Sequence, residues 1–166
     1  MTLNLKWKDL DYKLQPELMK AIETDFGFKH IMPVQNAVLP VFCKNFDVAV
    51  EASTGSGKTL AFLLPVFEKL LKDHAGIDKD EIKALIISPT RELSYQIYQV
   101  AHKIQQSIGK FGVKCIFGKI TEKGGKEGVK SNEMQSNGQN ILVGAYNSRS
   151  QHLAELQRFL KITFKI

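Results

Sequence analysis

With 166 residues, 43% apolar and 24% charged, the chain has the size and composition of one globular domain that buries a core, which excludes wholesale disorder. No apolar run approaches the ~20 residues needed to cross a bilayer, and Trp7 and several charges stand where a signal peptide would be apolar. The 23 basic against 17 acidic residues leave +6, and the two cysteines lack CxxC or metal spacing, as expected of a reduced intracellular protein.

In chain order, Pro16 leads a helical pattern through Leu18, Met19, Ile22 and Phe26, and Gly27 supplies its stop. Asp47–Glu51 is a short β-type run, followed by a helical pattern through Leu60, Leu63, Leu64 and Phe67. Lys83–Ser88 is a second such run. After it, Leu93, Ile97, Val100, Ala101, Ile104 and Ile108 share one helical face. Further short runs occupy Val113–Phe117, Asn140–Val143 and Ile162–Ile166. Alternating strands and helices predict an α/β fold built on a parallel sheet.

The charge is not evenly spread. Seven lysines (103, 110, 114, 119, 123, 126 and 130) stand against Glu122 and Glu127 between Ala101 and Lys130, so this window holds +5 of the surplus. Residues 118–139 also hold five of the twelve glycines and read as a flexible basic loop. Such a segment either tracks a phosphate backbone or is a solvated face, and charge alone leaves both open.

The most informative string is Ala52-Ser53-Thr54-Gly55-Ser56-Gly57-Lys58-Thr59, between a strand pattern and a helix pattern. That is the context a phosphate-binding loop requires. Gly55 and Gly57 permit backbone angles that aim successive amides at phosphate oxygens. The helix start adds partial positive charge. Lys58 suits the β- and γ-phosphates of a bound nucleotide, and the Thr59 hydroxyl suits Mg²⁺. The general pattern begins with glycine, and here Ala52 holds that place. Chance yields such a string in a chain this long only on the order of once in a hundred.

Ala52–Thr59 followed by Pro89-Thr90-Arg91-Glu92-Leu93, and preceded by Gly27-Phe28-Lys29-His30-Ile31-Met32-Pro33-Val34-Gln35, resembles the DEAD-box RNA helicases. The resemblance covers nearly the whole chain but only the first of that family's two RecA-like domains. It implies a RecA-like parallel sheet of the phosphate-loop NTPase class, ATP with Mg²⁺, and RNA held through its backbone. The stretches around Pro33–Gln35, Asn45–Ala52 and Gly57–Phe62 look most like the nucleolar branch that acts in large-subunit ribosome assembly. That likeness implies pre-ribosomal RNA and assembly factors as partners.

By the same resemblance Gln35 matches the glutamine that reads the adenine edge, a task suited to a carboxamide with donor and acceptor. Phe28 belongs to the same element. Trp7 lies where the family carries an aromatic that packs on the base; a lone tryptophan is equally at home as a core anchor. Pro89, Thr90 and Arg91 match RNA-backbone contacts, as do Gly118 and Arg149 more distantly. Without the family, Thr90 reads as a helix N-cap and Arg91 as a first-turn polar group.

Departures are visible. Met32 stands where the family has threonine, Gly118-Lys119 replaces a glycine pair, and Ala145-Tyr146-Asn147-Ser148-Arg149 stands where Thr-Pro-Gly-Arg is expected, with Arg149 displaced by one position. No Asp or Glu follows Glu155, so the Asp-Glu-Ala-Asp box lies outside the sequence. The resemblance therefore implies an ATP- and RNA-binding helicase part that by itself does not turn over ATP. The rival is a non-catalytic nucleotide- or RNA-binding module. A phosphate-loop kinase or GTPase is disfavoured by Gln35 and Pro89–Leu93, and no Asn-Lys-x-Asp string is present.

Overall fold

The computed structural model describes residues 5–73, 81–116 and 140–145, and the backbone of 163–165. The expected basic loop at 118–139, Gly118 and Arg149 lie outside the described residues. The chain divides into two compact units, Met1–Ile77 with Gln106–Gly109, and Asp78–Gln105 with Lys110–Ile166.

The first unit is helical. A short turn at Trp7–Asp9 leads to α1 (Pro16–Lys20), which widens into a π-helical turn at Ala21–Asp25. Gly27, at φ 69°, ends it, and the Phe28 amide donates back to the Ile22 carbonyl at 3.1 Å. Helix α2 (Pro33–Phe42) opens on proline, whose missing amide costs nothing at that position. Helix α3 (Lys58–Lys72) is the centre of the unit: from Leu60 to Leu70 every residue but Phe62 and Lys69 is buried. A helix apolar almost all round must be surrounded, and Val38, Leu39 and Phe42 of α2 supply part of that cover.

One charged residue lies inside this apolar helix. Glu68 is 0% exposed. Its carboxylate accepts the Gln15 backbone N–H at 2.8 Å and the Tyr12 hydroxyl at 3.2 Å, and lies 3.5 Å from the Lys72 ammonium. Lys72 also donates to the Tyr12 hydroxyl and sits 4.7 Å from that ring's centroid. A buried carboxylate is tolerated when its oxygens are satisfied in this way. Glu68 thereby clasps the segment leading into α1 onto the helix that starts at the phosphate loop.

The second unit holds the sheet. Strands β1 (Ala84–Ser88), β2 (Val113–Ile116), β3 (Ile141–Ala145) and β4 (Thr163–Lys165) lie in the order β2-β3-β1-β4, every pairing parallel. Ala84 pairs with Ile141, and Ile141 with Val113. The central strands read as continuous apolar runs, as strands buried on both faces do. Buried Asn140 staples the starts of three strands: its carbonyl accepts the Lys83 and Ala84 amides, its Nδ2 donates to the Glu81 carbonyl at 3.0 Å, and its backbone amide donates to Gly112. Helix α4 (Arg91–Ile108) buries Ser94, Ile97, Ala101, Ile104 and Ile108. Leu93 and Val100, expected on that face, are only half-buried, and Ser94 takes the inner position.

The expected strand at Asp47–Glu51 is not formed. A strand exists through its ladder. Here β1 is paired on both edges by β3 and β4, and Asp47, Ala49, Val50 and Glu51 are exposed in a non-strand conformation.

Glu68→Leu leaves the Gln15 amide and Tyr12 hydroxyl without their acceptor. It should lower stability by about 1–3 kcal/mol per orphaned group, measured by urea unfolding, with Glu68→Gln losing less because one acceptor oxygen remains. The two cysteines are free thiols. Burial pushes the Cys115 thiol up to about 11 and raises Cys43 as well. A raised thiol pKa means less thiolate, so iodoacetamide at about pH 8 should alkylate folded Cys115 on the order of a hundredfold more slowly than the urea-unfolded chain. The same shift lowers stability as pH rises from 9 toward 11, because the unfolded thiol ionises first.

Candidate nucleotide site and family

Gln35 is the residue on which the site is assembled. At the third position of α2 its Oε1 accepts the Met32 backbone N–H at 2.9 Å, one half of a capping box. Its Nε2 donates to the Gly57 carbonyl at 3.2 Å. The side chain is 2% exposed and ties the first turn of α2 to the phosphate loop. Two of the four bonding positions of its amide are thus committed to backbone, leaving one N–H and one lone pair.

The loop has the backbone its sequence predicts. Gly55 and Gly57 take φ of 81° and 90°, a region closed to most side chains. A β-carbon at Gly55 would meet open space, so its need is conformational. At Gly57 it would fall 2.6 Å from Gln35 Nε2 and 3.1 Å from Met32 Cγ, so here glycine is also required by crowding. Gly57 then serves as the N-cap of α3.

The Lys58 ammonium folds back over its own loop, donating to the carbonyls of Ala52 and Ser53, the latter at 2.7 Å. Ser53, Thr54 and Gly55 are exposed; Ala52, Ser56, Gly57, Lys58 and Thr59 are half-buried. The Ser56 hydroxyl is buried without a hydrogen-bond partner among the described residues. An unsatisfied hydroxyl beside an ammonium and two left-handed glycines fits an oxyanion such as a nucleotide phosphate. Among the described residues no cluster of three His, Cys, Asp or Glu side chains could hold a metal by itself. The fit to Mg²⁺ therefore rests on Thr59 acting together with phosphate oxygens.

The aromatic expectations divide. Phe28 is exposed and stacks on Phe26 at 5.5 Å between centroids. Trp7 is 3% exposed and its Nε1 has no hydrogen-bond partner among the described residues, so it stands as a core residue. The segment around it pairs with the chain just before α2: Lys6 bridges His30, and the Ile31 amide donates to the Leu5 carbonyl at 2.9 Å.

Pro89, Thr90 and Arg91 belong to the second unit, between β1 and α4. Thr90 is a working N-cap, its Oγ1 accepting the Leu93 amide at 3.2 Å. Its carbonyl accepts from the buried hydroxyls of Ser88 and Ser94 at 3.0 and 3.1 Å, and those hydroxyls lie 2.6 Å apart. This serine pair, absent from the sequence-derived site, fixes the turn that presents Arg91. The signal available was Ser94 falling among the apolar positions of its helix.

The profile described as DEAD/DEAH box helicase matches residues 32–166. The chain belongs to this helicase family. The "Probable ATP-dependent RNA helicase ddx55" of Dictyostelium discoideum is 52% identical over 57% of this chain and 14% of that protein. Mouse "ATP-dependent RNA helicase DDX55" is 39% identical over 82% of the chain and 22% of its own length. Candida glabrata "ATP-dependent rRNA helicase SPB4" is 49% identical over 60% of the chain and 16% of that protein. The chain thus spans less than a quarter of the curated relatives it matches. Among solved structures, the RNA helicase Prp28 of Chaetomium thermophilum, bound to ADP, superposes with a TM-score of 0.66 at 32% identity, covering 84% of this chain and 32% of that one. The yeast splicing factor Prp28 gives the same TM-score at 28% identity. The DEAD-box fold class, a RecA-like parallel sheet with helices, is therefore that of this chain.

Gly57→Ala imposes both the wrong φ and a 2.6 Å clash on Gln35 Nε2, whereas Gly55→Ala imposes only the first. Gly57→Ala should therefore cost more stability than Gly55→Ala, roughly 1–3 kcal/mol further, in paired urea titrations.

Proposed function

We propose that this chain is the ATP- and RNA-binding N-terminal part of an ATP-dependent RNA helicase acting on pre-ribosomal RNA, alongside assembly factors, in the nucleolus. The observation that carries the nucleotide half is the loop at Ala52–Thr59, with left-handed Gly55 and Gly57, a Ser56 hydroxyl unpartnered among the described residues, and Lys58 held by the loop's own carbonyls. The relatives named as ATP-dependent RNA and rRNA helicases supply the rest of the reading.

When bound, MgATP supplies the transferable phosphoryl group. The residues of this chain bind and orient it. Lys58 exchanges two carbonyl partners for phosphate oxygens, a stronger charge-assisted contact. Thr59 offers its hydroxyl to Mg²⁺ at the start of α3, where the helix dipole favours anions. The remaining N–H and lone pair of Gln35 match the donor–acceptor edge of adenine. Thr90 and Arg91 meet the RNA phosphates, a contact blind to base identity.

Lys58→Ala should abolish detectable ATP binding in calorimetric titration while the circular dichroism spectrum stays parental; equal affinities for both proteins would sink the phosphate-loop reading. In the same titrations Gln35→Ala should shrink the preference for ATP over GTP. A ratio unmoved from parental would remove Gln35 from adenine recognition.

A further inference from the structure

One row of side chains on α4 runs on from the proposed phosphate contact at Arg91, beside the buried row of the helix. Arg91, Tyr95, Tyr98 and His102 follow at intervals of four, three and four residues. At about 100° per residue they fall within roughly 60° of arc, a single stripe about 16 Å long. The rings are in register along it. Tyr95 and Tyr98 stack with centroids 6.3 Å apart and planes 29° apart, and Tyr98 and His102 lie 5.5 Å apart, tilted by 55°.

The stripe flanks the buried row of Ser94, Ile97, Ala101, Ile104 and Ile108, so Tyr98 and His102 are half-buried while Tyr95 is 37% exposed. Burial raises the Tyr98 phenol pKa, with Cys115 of β2 and Tyr95 adding to it. The rest of the solvent face of α4, at Glu92, Gln96, Gln99, Lys103 and Gln106, is polar. Three rings in a row on an otherwise polar surface are therefore a distinct feature.

We propose that this stripe is a stacking platform for the bases of single-stranded RNA, continuing from the backbone contact at Thr90 and Arg91; it rests on the RNA-binding reading above. Two observations select RNA over a protein partner. Arg91 heads the stripe with a planar cation that matches phosphate and stacks on bases. No carboxylate shares the stripe, since Glu92 lies about a quarter-turn away. From Tyr95 to His102 the helix rises about 10 Å, room for roughly two or three bases. Because every base has a π-face, the platform distinguishes RNA with bases from RNA without them, and not one sequence from another.

The test uses the full chain with two fluorescein-labelled single-stranded probes, a short oligouridine and an abasic ribose-phosphate strand of equal length. Anisotropy is read across a salt series. The parental chain should bind the oligouridine at least about fivefold more tightly than the abasic strand. Tyr95→Ala, a substitution at an exposed ring, should reduce that preference severalfold and leave the salt slope unchanged, because stacking releases no counterions. Tyr95→Trp should restore it. Arg91→Ala should do the reverse, lowering the slope by about 0.7 while the preference for bases persists. A parental chain that binds both probes equally, or a Tyr95→Ala chain that keeps the full preference, overturns the platform and leaves the stripe as a protein-docking face. Failure of the parental chain to bind either probe overturns the RNA-binding reading itself, an outcome distinct from loss of base preference alone.

Discussion

The carboxamide of Gln35 holds together the part of the molecule that matters most. One oxygen takes an amide at the mouth of α2 and one nitrogen gives a proton to the Gly57 carbonyl, within a side chain almost wholly withdrawn from water. In such surroundings a bond left unmade costs far more than one made contributes, so the two contacts fix each other's geometry. The glycine at 57 follows from it, since the space a β-carbon would need is occupied by the same nitrogen. In the proposed reading, the adenine contact and the brace for the phosphate loop fall on the same side chain, so base recognition and loop geometry would share one set of bonds.

Helix α3 extends this coupling. Its first residues are Lys58 and Thr59, and its tenth and eleventh are Phe67 and the clasping Glu68. The chain that leads into α1 is fastened to the far half of the helix through Gln15 and Tyr12. Its earlier part, with Trp7 in the core, pairs with the residues just before Met32. The N-terminal segment therefore braces both partners of the phosphate loop, α2 from its start and α3 from its end. In the second unit the same economy appears on a smaller scale, where Ser88, Ser94 and Thr90 share one carbonyl and hold the turn before Arg91.

Membership in the DEAD/DEAH box helicases accounts for the order of these elements along the chain. The physical observations add what the family name does not contain. In this structure Lys58 is satisfied by the loop itself, so a nucleotide would have to compete with two carbonyls for its charge. The aromatic stripe on α4 gives a surface whose chemistry would complement, and not repeat, the backbone contact proposed at its head.

Much of this was written in local patterns. The helix stop at Gly27, the left-handed glycines of the loop, the apolar runs of β1 and β3 and the buried row of α4 each follow from steric or periodic rules acting over a few residues. The loop's candidate chemistry was legible for the same reason, because its residue types and spacing are local. Tertiary structure alone decided the remainder. Val48-Ala49-Val50 has a strand's composition yet forms none, since a strand needs a ladder partner that no composition specifies. Trp7 could have served a base or the core, and the core took it. Glu68, Ser94 and Asn140 looked like ordinary polar residues, and became the fasteners of their units because folding left each one buried beside distant backbone groups that needed a partner. Sequence sets which groups must be satisfied, but it takes the folded chain, which brings residues fifty positions apart within 3 Å, to determine by whom.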